Sequence, residues 1–287
     1  MTETPITRQG ALKPVLVASH PRSGTHVVMD LIRRQFPSTR NWRCFGLPLD
    51  HLYLNLERLG AEQRRFDEQT AKRIVNRPKR ALLKTHFTAD FQSGWAQDEC
   101  TPPQGHWRSL GQAAKVIYVV RHPMDVMVSY HQFLSAIDAS VVEMDLMRFL
   151  HSPHWDKSVD RLGWWQSHVS GWATREDVTV LRYEDVVHQT EQTLETLSTS
   201  LDDAGRRRKP LLPPKVTTLR NARLNRLLSV SPQSTAIIAD RSRFPAIDWR
   251  DALTPADIDE LQTRLNEELG HYGYSLDPAK AKTERSG

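Results

Sequence analysis

Two strand-to-helix corners and one strand end carry the residues of this chain best suited to chemistry. The first corner reads Ser19-His20-Pro21-Arg22-Ser23-Gly24-Thr25-His26 and runs straight into an apolar helical pattern. A helix start offers backbone N–H groups without intrahelical partners, and the helix dipole favours an anion there. Gly24 lets a phosphate come close, Ser23 and Thr25 add hydroxyl donors, and Arg22 adds a planar, permanently charged fork. The same residues also fit an ordinary Ser/Thr helix cap, because short motifs arise often by chance.

The second corner reads Val120-Arg121-His122-Pro123-Met124-Asp125-Val126-Met127-Val128-Ser129-Tyr130. Arg121 and Ser129 stand eight residues apart across the turn, a spacing that can bring a guanidinium and a hydroxyl to one phosphate. Pro123 suits a first helical turn. A capped helix with an exposed arginine is the plainer alternative. The strand end reads Leu82-Leu83-Lys84-Thr85-His86, an ammonium two residues before an imidazole that ordinarily titrates near neutral pH. With 12 histidines in the chain, one at a strand end by chance is again the plainer alternative.

The elements that must hold these corners follow from hydrophobic pattern. Residues 14–19, 81–85, 115–120 and 178–182 are short β-rich runs whose apolar residues are nearly continuous, as in parallel strands covered on both faces. Helical periodicity fills 27–35, about 61–76, 125–133, 159–174 and 190–201. A late helix starts at Thr254-Pro255, with Thr254 as cap, and runs to about Leu269. Strands alternating with helices predict an α/β fold: one P-loop-like parallel β-sheet with helices on both faces. Ligands of such sheets bind beyond the carboxyl ends of the strands, where all three segments lie. One domain is expected over 1–287, with a core of about 14–275 and frayed ends.

Bulk composition sets limits. Of 287 residues, 39% are hydrophobic and 25% charged, which argues for a folded globular chain rather than disorder. The beginning of the chain lacks the apolar run of a signal peptide, and no apolar stretch is long enough to span a bilayer. Cys44 and Cys100 match no metal-ligand spacing and read as reduced thiols, so a cytoplasmic protein is expected. The net charge of +5 suits a polyanionic ligand but would suit nucleic acid equally. Much of the excess sits in Arg206, Arg207, Arg208 and Lys209, which also fits a solvated loop.

The first corner does not read GxxxxGK[ST]. Ser19 stands where the first glycine belongs and Thr25 where the lysine belongs, which weakens an Mg-ATP kinase reading. Pro21-Arg22-Ser23-Gly24-Thr25 instead resembles the 5′-phosphosulfate-binding loop of the sulfotransferases that use 3′-phosphoadenosine 5′-phosphosulfate (PAPS). Arg-x-Pro-x-Asp-x-x-x-Ser-Tyr at Arg121 to Tyr130 resembles the 3′-phosphate segment of that family. Likeness extends through His168-Val169-Ser170-Gly171-Trp172, Leu181-Arg182-Tyr183-Glu184-Asp185 and Asp248-Trp249-Arg250, covering about Val15 to Thr254.

The resemblance implies a cytosolic-type sulfotransferase with PAPS as donor and 3′-phosphoadenosine 5′-phosphate (PAP) as product. His86 would be the general base, with Lys84 and Arg22 on the transferring group. Arg22, Ser23, Gly24, Thr25 and His26 would hold the 5′ end of the donor. Arg121 and Ser129 would hold the 3′-phosphate, helped by Arg243 (Arg241 fits nearly as well), and Tyr183 would lie near the adenine. No metal is required by this chemistry. The expected partner is a small-molecule acceptor with a hydroxyl or amine, not nucleic acid or a membrane; a homodimer is left open.

Residues 41–53, 87–114 and 135–145 are expected to line the acceptor pocket, with Trp42, Trp95, Trp107, Asp90, Asp98, Glu99 and Asp138 among them. Three departures stand out. Arg22 replaces a common lysine, Val27 stands where a tryptophan often meets the adenine, and the closing segment lacks its usual Arg-Lys-Gly. A P-loop phosphotransferase or a non-catalytic nucleotide-binding module remains the competing reading.

Overall fold

Residues Val15–Ser19 form β1, and all five are buried because the strand runs through the middle of a sheet covered on both faces. Its side chains alternate between two cores. Leu16 and Ala18 join Val116, Tyr118 and Val120 in one core, while Val15 and Val17 join Ile117 and Val119 in the other. This alternation explains why the run reads as continuously apolar. The structure, a computed structural model, describes residues 12–39, 53–56, 79–89, 113–136, 138–154, 159–204 and 247–277.

After β1 come α1 (Thr25–Gln35), β2 (Leu54–Asn55), β3 (Leu82–Thr85) and β4 (Lys115–Val120). Then follow α2 (Pro123–Ser135), α3 (Ala139–Val142), α4 (Leu146–His151), α5 (Arg161–Ala173) and β5 (Val178–Arg182). The chain continues through α6 (Tyr183–His188), α7 (Thr190–Leu201), α8 (Trp249–Ala252), α9 (Pro255–Arg264) and α10 (Asn266–Tyr272). The sheet order is β2-β3-β1-β4-β5, and every pairing is parallel. The expected α/β architecture is therefore present, with β2 as an edge strand beyond the four foreseen.

The two faces are packed differently. Against one, α1 and α7 lay Val28, Leu31, Ile32, Leu194, Leu197 and Leu201. Against the other, α2, α5, α8, α9 and α10 bring a heavier aromatic load, including the fully buried Trp165, Trp172 and Trp249. Burying an aromatic side chain is worth about 1.5–3 kcal/mol relative to leaving it in water, so this core anchors α5 and α8 firmly to the sheet.

The late helix has the expected start: Thr254 caps α9 in a reciprocal capping box with Asp257. It breaks at Leu265 instead of running on, and α10 resumes at Asn266. The bend turns Leu261, Leu265, Leu269 and Tyr272 into the same core. The bidentate ion pair of Arg264 with Asp160, at 2.7 and 2.6 Å, ties the end of α9 to the start of α5.

The expected helix at 61–76, both cysteines, the 206–209 basic run, Arg241 and Arg243 lie outside the described residues. So do Trp42, Trp95, Trp107, Asp90, Asp98 and Glu99. Among the described residues, no helix is long and apolar enough to cross a membrane. Asp138 is an exposed cap of α3, accepting from the Ser140 amide at 2.9 Å.

Candidate active site

The sheet order puts the carboxyl end of β1 between those of β3 and β4. Lys84 pairs across from Val17, and Ser19 across from Val119, so Lys84, His86 and Arg121 flank the loop after β1. Gly24 caps α1 at φ 93°, a left-handed conformation that glycine adopts without strain. No side chain caps this helix, and no acid sits in its first turn, whereas Asp or Thr side chains cap α3, α4, α5, α8 and α9. The start of α1 thus keeps its backbone donors free of any capping side chain at the loop between the signature segments. Ser23 Oγ is buried and meets no hydrogen-bond partner among the described residues. A buried hydroxyl without a partner costs about 1–3 kcal/mol, a cost that an anion accepting from it would remove.

The two corners meet. Arg121 donates through Nη1 to the Arg22 carbonyl at 3.2 Å, and Arg22 donates through Nε to Ser129 Oγ at 3.2 Å. Arg22 itself adopts φ 72°, unusual for a residue with a side chain, and its guanidinium lies 5.2 Å over the Phe133 ring. Tyr183, the first residue of α6, closes the group: the Arg121 guanidinium lies 4.7 Å over its ring. The ring also packs so tightly on the loop that a Cβ at Gly24 would sit 2.2 Å from Tyr183 Cδ2. Gly24 is thus required twice over, for its φ and for its missing side chain. Arg22, Ser23, Gly24, Arg121, Ser129 and Tyr183 are brought together; Thr25 faces back to Ser19, their hydroxyls 2.5 Å apart. His26 faces Tyr53, with Nε2 2.6 Å from the hydroxyl.

His86 sits at the end of β3 with a defined tautomer. Its Nδ1 lies 2.7 Å from the Ser19 carbonyl, which can only accept, so Nδ1 carries the proton and Nε2 is the basic nitrogen. Burial first, and the nearby Lys84 ammonium second, hold this imidazole well below the ordinary histidine value. The ring is therefore neutral at pH 7, more firmly so than a free histidine.

Its backbone is pinned from α5. His168 donates from Nε2 to the His86 carbonyl at 3.2 Å and accepts at Nδ1 from the Tyr118 hydroxyl at 3.0 Å. Trp172 Nε1 donates to the Phe87 carbonyl at 3.1 Å. Behind the loop, His20 is fully buried, its ring 4.3 Å from that of Trp164, and burial pushes it well below its usual value too.

Tyr53, Tyr118 and the Ser19 carbonyl carry no signal in the sequence, because each acts on a group far along the chain. His168 and Trp172 were visible only as part of a motif.

Comparison with known proteins bears on this geometry. The family model described as "Sulfotransferase domain" matches residues 12–273. A guinea-pig (Cavia porcellus) 3-alpha-hydroxysteroid sulfotransferase is 35% identical over 101 residues, 34% of this chain and 33% of that protein. A 3-beta-hydroxysteroid sulfotransferase from the same animal is 26% identical over 176 residues, 58% of this chain and 59% of the relative. The match thus spans between a third and three fifths of these relatives. Retinol dehydratase, solved with androsterone and the inactive cofactor PAP, superposes with a TM-score of 0.51 at 17% identity, covering 89% of this chain and 80% of that one. At that identity the likeness speaks for the fold, and the match of the family model over most of the chain settles the rest: this chain belongs to the sulfotransferase domain family.

Proposed function

We propose that this protein transfers a sulfuryl group from PAPS to a hydroxyl or amine of a small-molecule acceptor. The observation that carries this reading is the meeting of two separate anion-binding corners, joined by the Arg121–Arg22 and Arg22–Ser129 bonds, beside a histidine of fixed tautomer. Two phosphate sites flanking one aromatic ring suit a nucleotide phosphorylated at both its 3′ and 5′ ends. Ser23, with its buried unpartnered hydroxyl, and the uncapped start of α1 receive the 5′ end. Thr25 and His26, whose side chains face Ser19 and Tyr53, contribute there through the backbone N–H groups of the first turn of α1. Arg121 and Ser129 receive the 3′-phosphate, with Arg243 completing that site. Tyr183, which like Val27 packs against the edge of one core, offers the ring that the absent tryptophan would supply to the adenine.

PAPS supplies the sulfuryl group and leaves as PAP. His86 Nε2 takes the proton of the attacking hydroxyl as the new S–O bond forms and the bond to the phosphate breaks. Arg22 and Lys84 meet the negative charge that develops on the transferring and bridging oxygens. Holding donor and acceptor in line is the larger part of the work, as in phosphoryl transfer.

The test is product formation. The protein is incubated with PAPS, a chelator and a panel of acceptors that starts with hydroxysteroids and adds phenols and amines. Mass spectrometry should find PAP and sulfated acceptor in equal amounts. Consumption of ATP by the same protein, with PAPS left intact, would overturn the reading in favour of a phosphotransferase.

A further inference from the structure

Resting on the phosphate assignments just made, we propose that Glu184 is a positioning residue for the 3′-phosphate site, setting Arg121 through the backbone and tying it to the Tyr274–Ser275 segment. The Glu184 carboxylate accepts the His122 amide on Oε1 at 3.0 Å and the Tyr274 hydroxyl on Oε2 at 2.8 Å. That amide belongs to the peptide leaving Arg121, so the bond fixes the plane from which the guanidinium is aimed. The preceding residue, Tyr183, lies under the same guanidinium. Arg121 is thus held by two consecutive residues of α6, one at its backbone and one at its side chain.

The segment after α10 grips the corner from behind. The His122 ring stacks on Trp249 at 5.3 Å and 13°, meets Tyr274 edge-on, and lies within 3.0 Å of the Ser275 carbonyl through Nε2. Trp249 in turn donates to Asp125 in the first turn of α2 at 3.2 Å. Burial and the Glu184 charge push the Tyr274 hydroxyl well above its usual range, so it remains a donor at any working pH. Arg182, 4.6 Å over the Tyr274 ring, supplies a compensating positive charge.

A carboxylate so placed faces two donors with two acceptors. An amide cannot do this, because its NH2 would confront one of the donors. Glu184 reaches the 5′ loop at second hand, through the Arg121 bond to the Arg22 carbonyl and the Tyr183 ring on Gly24, so its effect should fall more heavily on the 3′-phosphate.

Calorimetric affinities for adenosine 3′,5′-bisphosphate and for AMP are measured in the wild type, Glu184→Gln and Tyr274→Phe. Loss of a charge-assisted hydrogen bond predicts that Glu184→Gln weakens the bisphosphate about tenfold while AMP changes by less than about twofold. Tyr274→Phe should shift the same ratio in the same direction by a smaller factor. Equal losses for both nucleotides would overturn the proposal, since a merely structural role weakens both alike; so would an unchanged bisphosphate affinity. A wild type without preference for the bisphosphate would instead overturn the phosphate assignments themselves. If Glu184→Gln does not fold, Tyr274→Phe, which keeps the carboxylate, decides by the same ratio.

Discussion

His86→Ala is expected to bind adenosine 3′,5′-bisphosphate as the wild type does, yet to transfer the sulfuryl group about 10²–10⁴-fold more slowly, the usual contribution of a positioned base. The selectivity follows from geometry. The side chain's contact with the Ser19 carbonyl orients the ring, but the β3 end is held independently by His168 and Trp172 through backbone carbonyls. Removing the imidazole therefore leaves the loop and the nucleotide corners in place. The pH profile carries a second signature. A base works while unprotonated, and burial and Lys84 depress its pKa. The wild-type rate should thus hold steady through neutrality and fall only as pH drops below about 6.5, the ordinary histidine value. An unperturbed histidine in the same place would put the acidic limb nearer neutrality. Single-turnover transfer to a saturating hydroxyl acceptor at several pH values reads both effects. A mutant that keeps the wild-type rate across that range would reduce His86 to a loop anchor.

Gly24→Ala should lose nucleotide affinity by about a hundredfold, with a melting temperature lowered by only a few degrees. Forcing a Cβ into the left-handed region costs about 1–2 kcal/mol, and here the new atom also lands 2.2 Å from Tyr183 Cδ2. The ring must move, and with it the surface that supports Arg121, whose charge-assisted contact is worth about 1.5–3 kcal/mol. The fold has less at stake, because Gly24 lies outside both cores while Val28, Leu31 and Ile32 anchor α1. Titration with the bisphosphate and a thermal melt separate the two. An alanine variant that binds normally would mean that Tyr183 does not rest on the loop when the nucleotide is bound.

Much of this site could be read from local pattern. Continuous apolar runs marked β1, β3 and β4 because both faces of each are covered, and β5 although only its Leu181 is buried; Thr254-Pro255 announced α9 through a capping box whose residues are neighbours in sequence. Gly24 was legible as a point of close approach, although what approaches it, Tyr183, was not. The unread parts share one physical cause. β2 has only Leu54 and Asn55, too few residues for any period to show. The Tyr118–His168–His86 chain, the His26–Tyr53 contact and the Glu184 carboxylate join residues from 27 to 90 positions apart, where the fold alone decides which donor meets which acceptor. The break at Leu265 likewise answers to the shape of a core that the helical period cannot see.

The most direct test is calorimetry of the wild type and Arg121→Ala with adenosine 3′,5′-bisphosphate and AMP, in buffer without Mg2+. The wild type should bind the bisphosphate far more tightly than AMP, and Arg121→Ala should weaken the bisphosphate at least about tenfold and AMP by a clearly smaller factor. Equal affinities of the wild type for the two nucleotides would contradict the reading of Arg121 and Ser129 as a 3′-phosphate site.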